Sequence, residues 1–167
     1  DRLELVTPIG NASGDLSLQL QAPFSIVLNA AAEVNELLPN SLDVTHLTLA
    51  LDGNSNSLEV ELQNSEHEIR VTGSVTDVFN EKGFDLTVQW PRSEWPQQFG
   101  ITAIDSAEVT ARLRGTPQAF AIQANAELEL ANADVITLDM DGTGTPQRML
   151  LNKVRIDGKR VEATVSG

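Results

Sequence analysis

The chain has 167 residues, 41% of them hydrophobic and 21% charged, which suffices for a domain with a sizeable interior and argues against disorder. Its formal charge of −13 and pI of about 4.4 argue against nucleic-acid and anionic membrane-surface binding, since both need a cationic footprint. Cysteine is absent, which removes disulfides, thiol chemistry and cysteine-based zinc sites.

The N-terminal Leu3-Glu4-Leu5 is strand-like and no signal peptide precedes it. No run approaches the roughly 18 apolar residues of a membrane helix. Asp1 is not an initiator methionine, and the alternation is still in force at Val165. Both point to a single β-rich segment, residues 1–167, of a longer repeat-like polypeptide.

Period-two alternation dominates. It runs through Leu16–Gln21, Leu47–Asp52, Leu58–Gln63, Ile69–Val75, Phe84–Trp90, Ala107–Leu113, Phe120–Leu130, Ile136–Met140, Leu150–Ile156 and Val161–Val165, and predicts about a dozen half-buried strands. Asp52-Gly53, Lys82-Gly83, Gly115-Thr116-Pro117, Asp141-Gly142 and Asp157-Gly158 carry hairpin-turn chemistry. A two-residue turn at Asp157-Gly158 sets Val154 opposite Val161 and Leu150 opposite Val165, with the apolar side chains on one face. Only Ala30–Leu38, ahead of Pro39, reads as a short helix. The stretch Gln21–Glu33 resembles Gly115–Glu127, each a turn, a proline and a long strand, which suits growth by added hairpins.

Without helices to cover it, a sheet that is apolar on one side must stack on a second sheet, close into a barrel, or curl into a trough. Patterning alone leaves these three open.

Groups for catalysis are scarce. A serine nucleophile needs a base, and the two histidines, His46 and His67, lie on the polar register and read as solvent-facing. Asp139-Met140-Asp141-Gly142-Thr143-Gly144 has the alternating carboxylates of a calcium loop, but no glutamate closes it at the twelfth position and its flanks are strands, so it reads as a hairpin turn. The pairs Glu59/Glu61 and Glu127/Glu129 lie on polar strand faces and read as solvated surface rather than glycosidase carboxylates. Trp90–Pro96 is the one aromatic cluster, read as a strand end plugged by Trp90 and followed by a stiff loop. No cofactor, metal site or enzymatic activity is expected.

Val34-Asn-Glu-Leu-Leu-Pro39, the strand ending in Gly53, Leu58–Gln63 and Phe84–Pro91 assemble into a recognisable pattern. Ala111-Arg-Leu-Arg-Gly-Thr-Pro117, Met140–Gly144 and Leu150–Gly158 extend it over nearly the whole chain. This pattern resembles the AsmA-like family of TamB type. The resemblance implies a periplasmic protein anchored in the inner membrane of a diderm bacterium, its strands curled into a taco-shaped sheet with a hydrophobic interior. It also implies links to outer-membrane assembly and phospholipid movement, and an assembly partner of the Omp85 type engaged by a region outside this segment.

The expected fold is therefore all-β, an elongated, curled antiparallel sheet, with a closed β-sandwich as the alternative. The expected function is a hydrophobic groove for phospholipid acyl chains moving between the inner and outer membranes. Its lining would be Leu16, Leu18, Leu20, Ile26, Leu28, Leu47, Leu49, Leu51, Leu58, Val60, Leu62, Ile69, Val71, Phe84, Leu86, Val88, Val109, Leu113, Phe120, Ile122, Leu128, Leu138, Val154 and Ile156. At about 4.8 Å per strand, a dozen strands give a trough on the order of 50 Å long. Two alternatives stand beside it: a scaffold that binds unfolded outer-membrane proteins by β-augmentation, and an adhesin-like β-sandwich.

Overall fold

The computed structural model describes residues 2–7, 10–21, 24–35, 44–66, 68–78, 82–94, 104–132, 134–159 and 161–166. The chain divides into two compact units, Asp1–Phe84 and Asp85–Gly167. The first holds β1 (Arg2–Thr7), β2 (Gly10–Gln19), β3 (Ser25–Asn35), β4 (Val44–Gly53), β5 (Ser57–Asn64) and β6 (Arg70–Thr76). β7 (Gly83–Glu94) starts at the boundary. The second unit continues with β8 (Ile104–Thr116), β9 (Ala119–Leu130), β10 (Val135–Thr145), β11 (Arg148–Gly158) and β12 (Val161–Ser166).

Within each unit the strands neighbour one another in chain order, without a crossover, and the pairings from β1 to β6 and from β8 to β12 are antiparallel. Among the described residues β1 pairs only with β2 and β12 only with β11. The fold is thus all-β, antiparallel and open-edged. The described strands belong to one sheet that is not closed, so the closed-sandwich alternative is set aside.

Alanine is the best helix former, yet Ala30–Asn35 belongs to β3, which corrects the helix expected there; residues 36–38 lie outside the described residues. The register explains the strand. Ala30 sits between Gly14 and Leu49, and Ala32 between Ala12 and Leu47, so small side chains fill narrow positions in a sheet whose neighbours already fix the backbone. A Cβ on Gly14 would stand 2.8 Å from the Cβ of Ala30 and 2.6 Å from the Asn29 carbonyl oxygen.

Several expected turns move. Gly53 ends β4 and pairs with Leu58, and the chain reverses at 54–57, closed by Asn54 N–H donating to the Ser57 carbonyl at 2.8 Å. The last hairpin turns beyond Gly158 instead of at Asp157-Gly158, with Gly158 opposite Val161 and Val154 opposite Val165. That displacement by two residues keeps every side chain on its face, so patterning alone is blind to it. Asp141-Gly142 lies inside β10, next to a bulge in which Asn152 of β11 is the extra residue. The same four residues, Gly-Thr-Pro-Gln, make the β8–β9 turn at 115–118 and the β10–β11 turn at 144–147.

β7 runs through Trp90 and Pro91 to Glu94 rather than ending at Trp90; Trp95 and Pro96 lie outside the described residues.

Candidate functional site

Register converts the alternation into rows. In the first unit Leu16, Leu28, Leu51 and Val60 stand side by side across β2–β5. Leu49, Leu62 and Val71 make a second row across β4–β6, and Leu18, Ile26, Gly53, Leu58 and Val75 a third across β2–β6. Leu47 belongs to the same face, beside Ala32 and Asn64.

The second unit repeats the construction. Val109, Ala126, Leu138, Ile156 and Ala163 form one row across β8–β12. Ala111, Ala124, Met140, Val154 and Val165 form the next, and Leu113, Ile122, Gly142 and Leu151 another. Leu128 and Phe120 belong to the flanking rows on this face. On β7, Leu86 and Val88 alternate with Asp85, whose carboxylate binds Arg112 on the opposite, polar face, which puts them on the apolar side. Phe84 has the same parity at the start of the strand.

Two predicted lining residues fall outside strands. Leu20 lies just past the end of β2 and is 76% exposed. Ile69 precedes β6, where its carbonyl accepts the Asn64 N–H at 2.8 Å. Sequence reasoning passed over the small members of the face, Ala12, Gly14, Ala30, Ala32, Ala124 and Ala126. Their alternation is as regular as that of the leucines but carries little apolar weight. Met149 and Leu151 escaped for another reason: the Asn152 bulge reverses parity within β11, so odd positions face the apolar side before it and even ones after it.

The apolar face lacks the cover that a core would have. Among the described residues, Leu58, Ala107 and Ala126 are the buried hydrophobic ones, while Leu18, Met149 and Leu151 are 51%, 49% and 44% exposed.

The polar face is laced with ion pairs. Arg112 grips Asp85 through two parallel hydrogen bonds of 2.8 and 2.6 Å. These hold the Asp85 carboxyl below its ordinary range and raise Arg112. Arg70 meets Glu61 at 2.5 Å, and Asn125 donates to Asp139 at 2.6 Å. Arg92 reaches Glu127, Glu129 at 3.3 Å and Glu108 at 3.9 Å. Asp85 and Arg92 have opposite parity on β7, yet the charged ends of both reach partners on the polar face.

The carboxylates of Glu61, Glu127 and Glu129 are thus partners of arginines rather than a catalytic pair. His46, read above as solvent-facing filler, is held between Glu33 and Glu66; His67 lies outside the described residues. A hollow of about 580 Å³ also opens on the polar face, over Ala31 and Ala50 and between Asp15, Asn29 and Glu61. Its lining also takes in Gly14, Ala30 and Leu49.

An open antiparallel sheet, greasy on one face and salt-bridged on the other, with no helix among the described residues to cover it, is the construction of a β-taco protein. The family model described as TamB, N-terminal domain, matches residues 1–167, and the chain belongs to the TamB family. No curated protein and no solved structure matched it. The family acts in outer-membrane assembly or lipid transport and is not known for enzymatic activity. Membership implies an inner-membrane-anchored periplasmic protein and suggests partnership with an Omp85-type protein. No helix among the described residues is long and apolar enough to cross a membrane.

Proposed function

We propose that the apolar face holds phospholipid acyl chains in passage between the inner and outer membranes, with the rows built on Leu16, Leu49 and Leu138 as the surface they slide over. The observation that carries this reading is a continuous apolar face in each unit without a covering layer among the described residues. Burial of one methylene is worth roughly 0.8 kcal/mol. A chain of many methylenes is therefore retained by repeated small contacts, with no deep pocket to trap it at one place. The acidic polar face keeps the protein soluble and leaves anionic headgroups turned to water. Native mass spectrometry of the purified protein tests the reading: phospholipid should co-purify and be lost in Leu49→Arg. A lipid-free wild-type protein would count against it.

A second reading, strand addition by an unfolded outer-membrane protein, draws on one specific feature. β12 covers only Lys153–Gly158 of β11, and the next residues along that edge include Met149, Leu150 and Leu151, each 44–49% exposed. A proline in this stretch, such as Leu150→Pro, should block edge pairing and spare lipid binding. Leu49→Arg should do the reverse.

A further inference from the structure

The turn between β5 and β6 is tied to β4 instead of standing free as a hairpin loop. The β4–β5 ladder ends with Leu47 opposite Asn64. Beyond that pair, Ser65 N–H donates to the His46 carbonyl at 3.2 Å, and His46 N–H donates to both carboxylate oxygens of Glu66 at 3.1 and 3.0 Å. The His46 ring meets the same carboxylate through Nδ1. Its Nε2 lies 3.6 Å from Glu33 Oε1 on β3. Asn64 Nδ2 donates to Glu66 at 3.2 Å, fixing the carboxylate from the other side.

The turn is under strain that this tie must hold. Glu68 has φ of 53°, in the left-handed region that residues with a Cβ avoid. The charges around His46 are of one sign. Glu66 faces it from the turn, with Glu68 two residues on, and Glu33 from β3; Asn11 of β2 and Glu4 of β1 line the same hollow of about 440 Å³. Arg70, at the start of β6, is engaged by Glu61. The imidazolium proton is what offsets these carboxylates.

We propose that His46 and Glu66 form a proton-operated tether. With His46 charged and Glu66 ionised, the β5–β6 turn is clamped onto β4. Loss of the histidine proton leaves Glu33 and Glu66 beside a neutral ring, and the turn loosens. Leu47 and Asn64 close one rim of the first unit's apolar face, so the tether sets the firmness of that rim.

The environment shifts both groups in the direction the tether needs. The hydrogen bond that the His46 ring donates to Glu66 raises His46 and exceeds the opposing desolvation, and the Glu66 and Glu33 charges add to it. For Glu66, desolvation acts upward, but the hydrogen bonds from the His46 ring and backbone outweigh it and the carboxyl is lowered. A histidine raised on folding stabilises fully below its unfolded value, and that contribution is lost as pH rises through the folded value. A carboxylate lowered on folding contributes above its unfolded value and loses that contribution as pH falls through the folded one. The clamp therefore holds between the two and opens on the alkaline side first.

Hydrogen exchange at single amides tests this, with protection factors corrected for the intrinsic rate and followed from roughly pH 6 to roughly pH 9. The Ser65 amide should lose about tenfold in protection over this range in the wild-type chain. It should change little in His46→Gln, and little in Glu66→Gln, which keeps an acceptor for the His46 N–H but no charge. The Leu49 and Leu62 amides, inside the ladder, should stay protected throughout. Constant Ser65 protection in the wild type would overturn the proposal. So would an equal loss in both variants, or loss at Leu49 and Leu62 in both.

Discussion

The ring of Phe120 lies over Gly144 on the neighbouring strand: a Cβ at position 144 would come within 2.5 Å of Phe120 Cζ and 2.6 Å of Cε2. The ring occupies the place of the missing side chain, a pairing of aromatic and glycine that pins register in a sheet. Gly144→Val should displace Phe120 and destabilise the second unit by about 1–3 kcal/mol, the usual cost of overpacking. Urea titration measures this. Gly144→Val in a Phe120→Ala background should cost distinctly less, and an equal cost in both backgrounds would refute the packing argument.

Arg92 is the cation common to Glu108, Glu127 and Glu129, and Glu108 stands directly opposite Glu127. Like charges placed opposite repel. Arg92→Gln should lower stability by about 1 kcal/mol or less, as for exposed pairs generally. The loss should shrink at high salt, which screens carboxylate repulsion. Adding Glu108→Gln should restore part of it. A penalty unchanged between low and high salt would show that Arg92 acts through packing instead.

The Asp85–Arg112 pair predicts an acid limb in the stability of the second unit. Asp85 is lowered on folding from an ordinary value of 3.8, so its contribution is present above that value and lost as pH falls through the folded one. Asp85→Asn should have a lower urea midpoint than the wild type at neutral pH. The two curves should converge in acid. Parallel curves down to about pH 2 would contradict the pairing.

Asn152 is an extra residue: Asp141 pairs with Lys153, and Gly142 with Leu151. Deleting Asn152 should leave a straight ladder with Lys153 still on the polar face and Leu151 still on the apolar one, so the chain should fold with little loss. Deleting Asn125 from the regular part of β9 should instead turn half a strand inside out. Circular dichroism melts of the two deletions would separate these outcomes. Equal damage from both would disprove the bulge assignment.

Much of this architecture is written in alternation. Leu47, Leu49 and Leu51 announce a strand with one greasy face whatever its neighbours do, and the rows across β2–β6 follow once the hairpins close. Departures occur where a tertiary or non-periodic feature decides. Ala30–Asn35 has helical propensity but sits between β2 and β4. The final hairpin keeps the same faces inward whether Gly158 lies in the turn or, as observed, pairs with Val161. A bulge such as that at Asn152 leaves no periodic trace. The His46–Glu66 tie joins residues 20 apart in sequence through a turn whose path patterning does not specify.

Site-specific photocrosslinking in cells tests the proposed lipid path most directly. Probes at Leu49 and Leu138, in the apolar rows, should capture phospholipid, whereas probes at Thr48 and Asp139, their chain neighbours on the polar face, should not. Equal lipid labelling of the two faces, or none on either, would contradict the account.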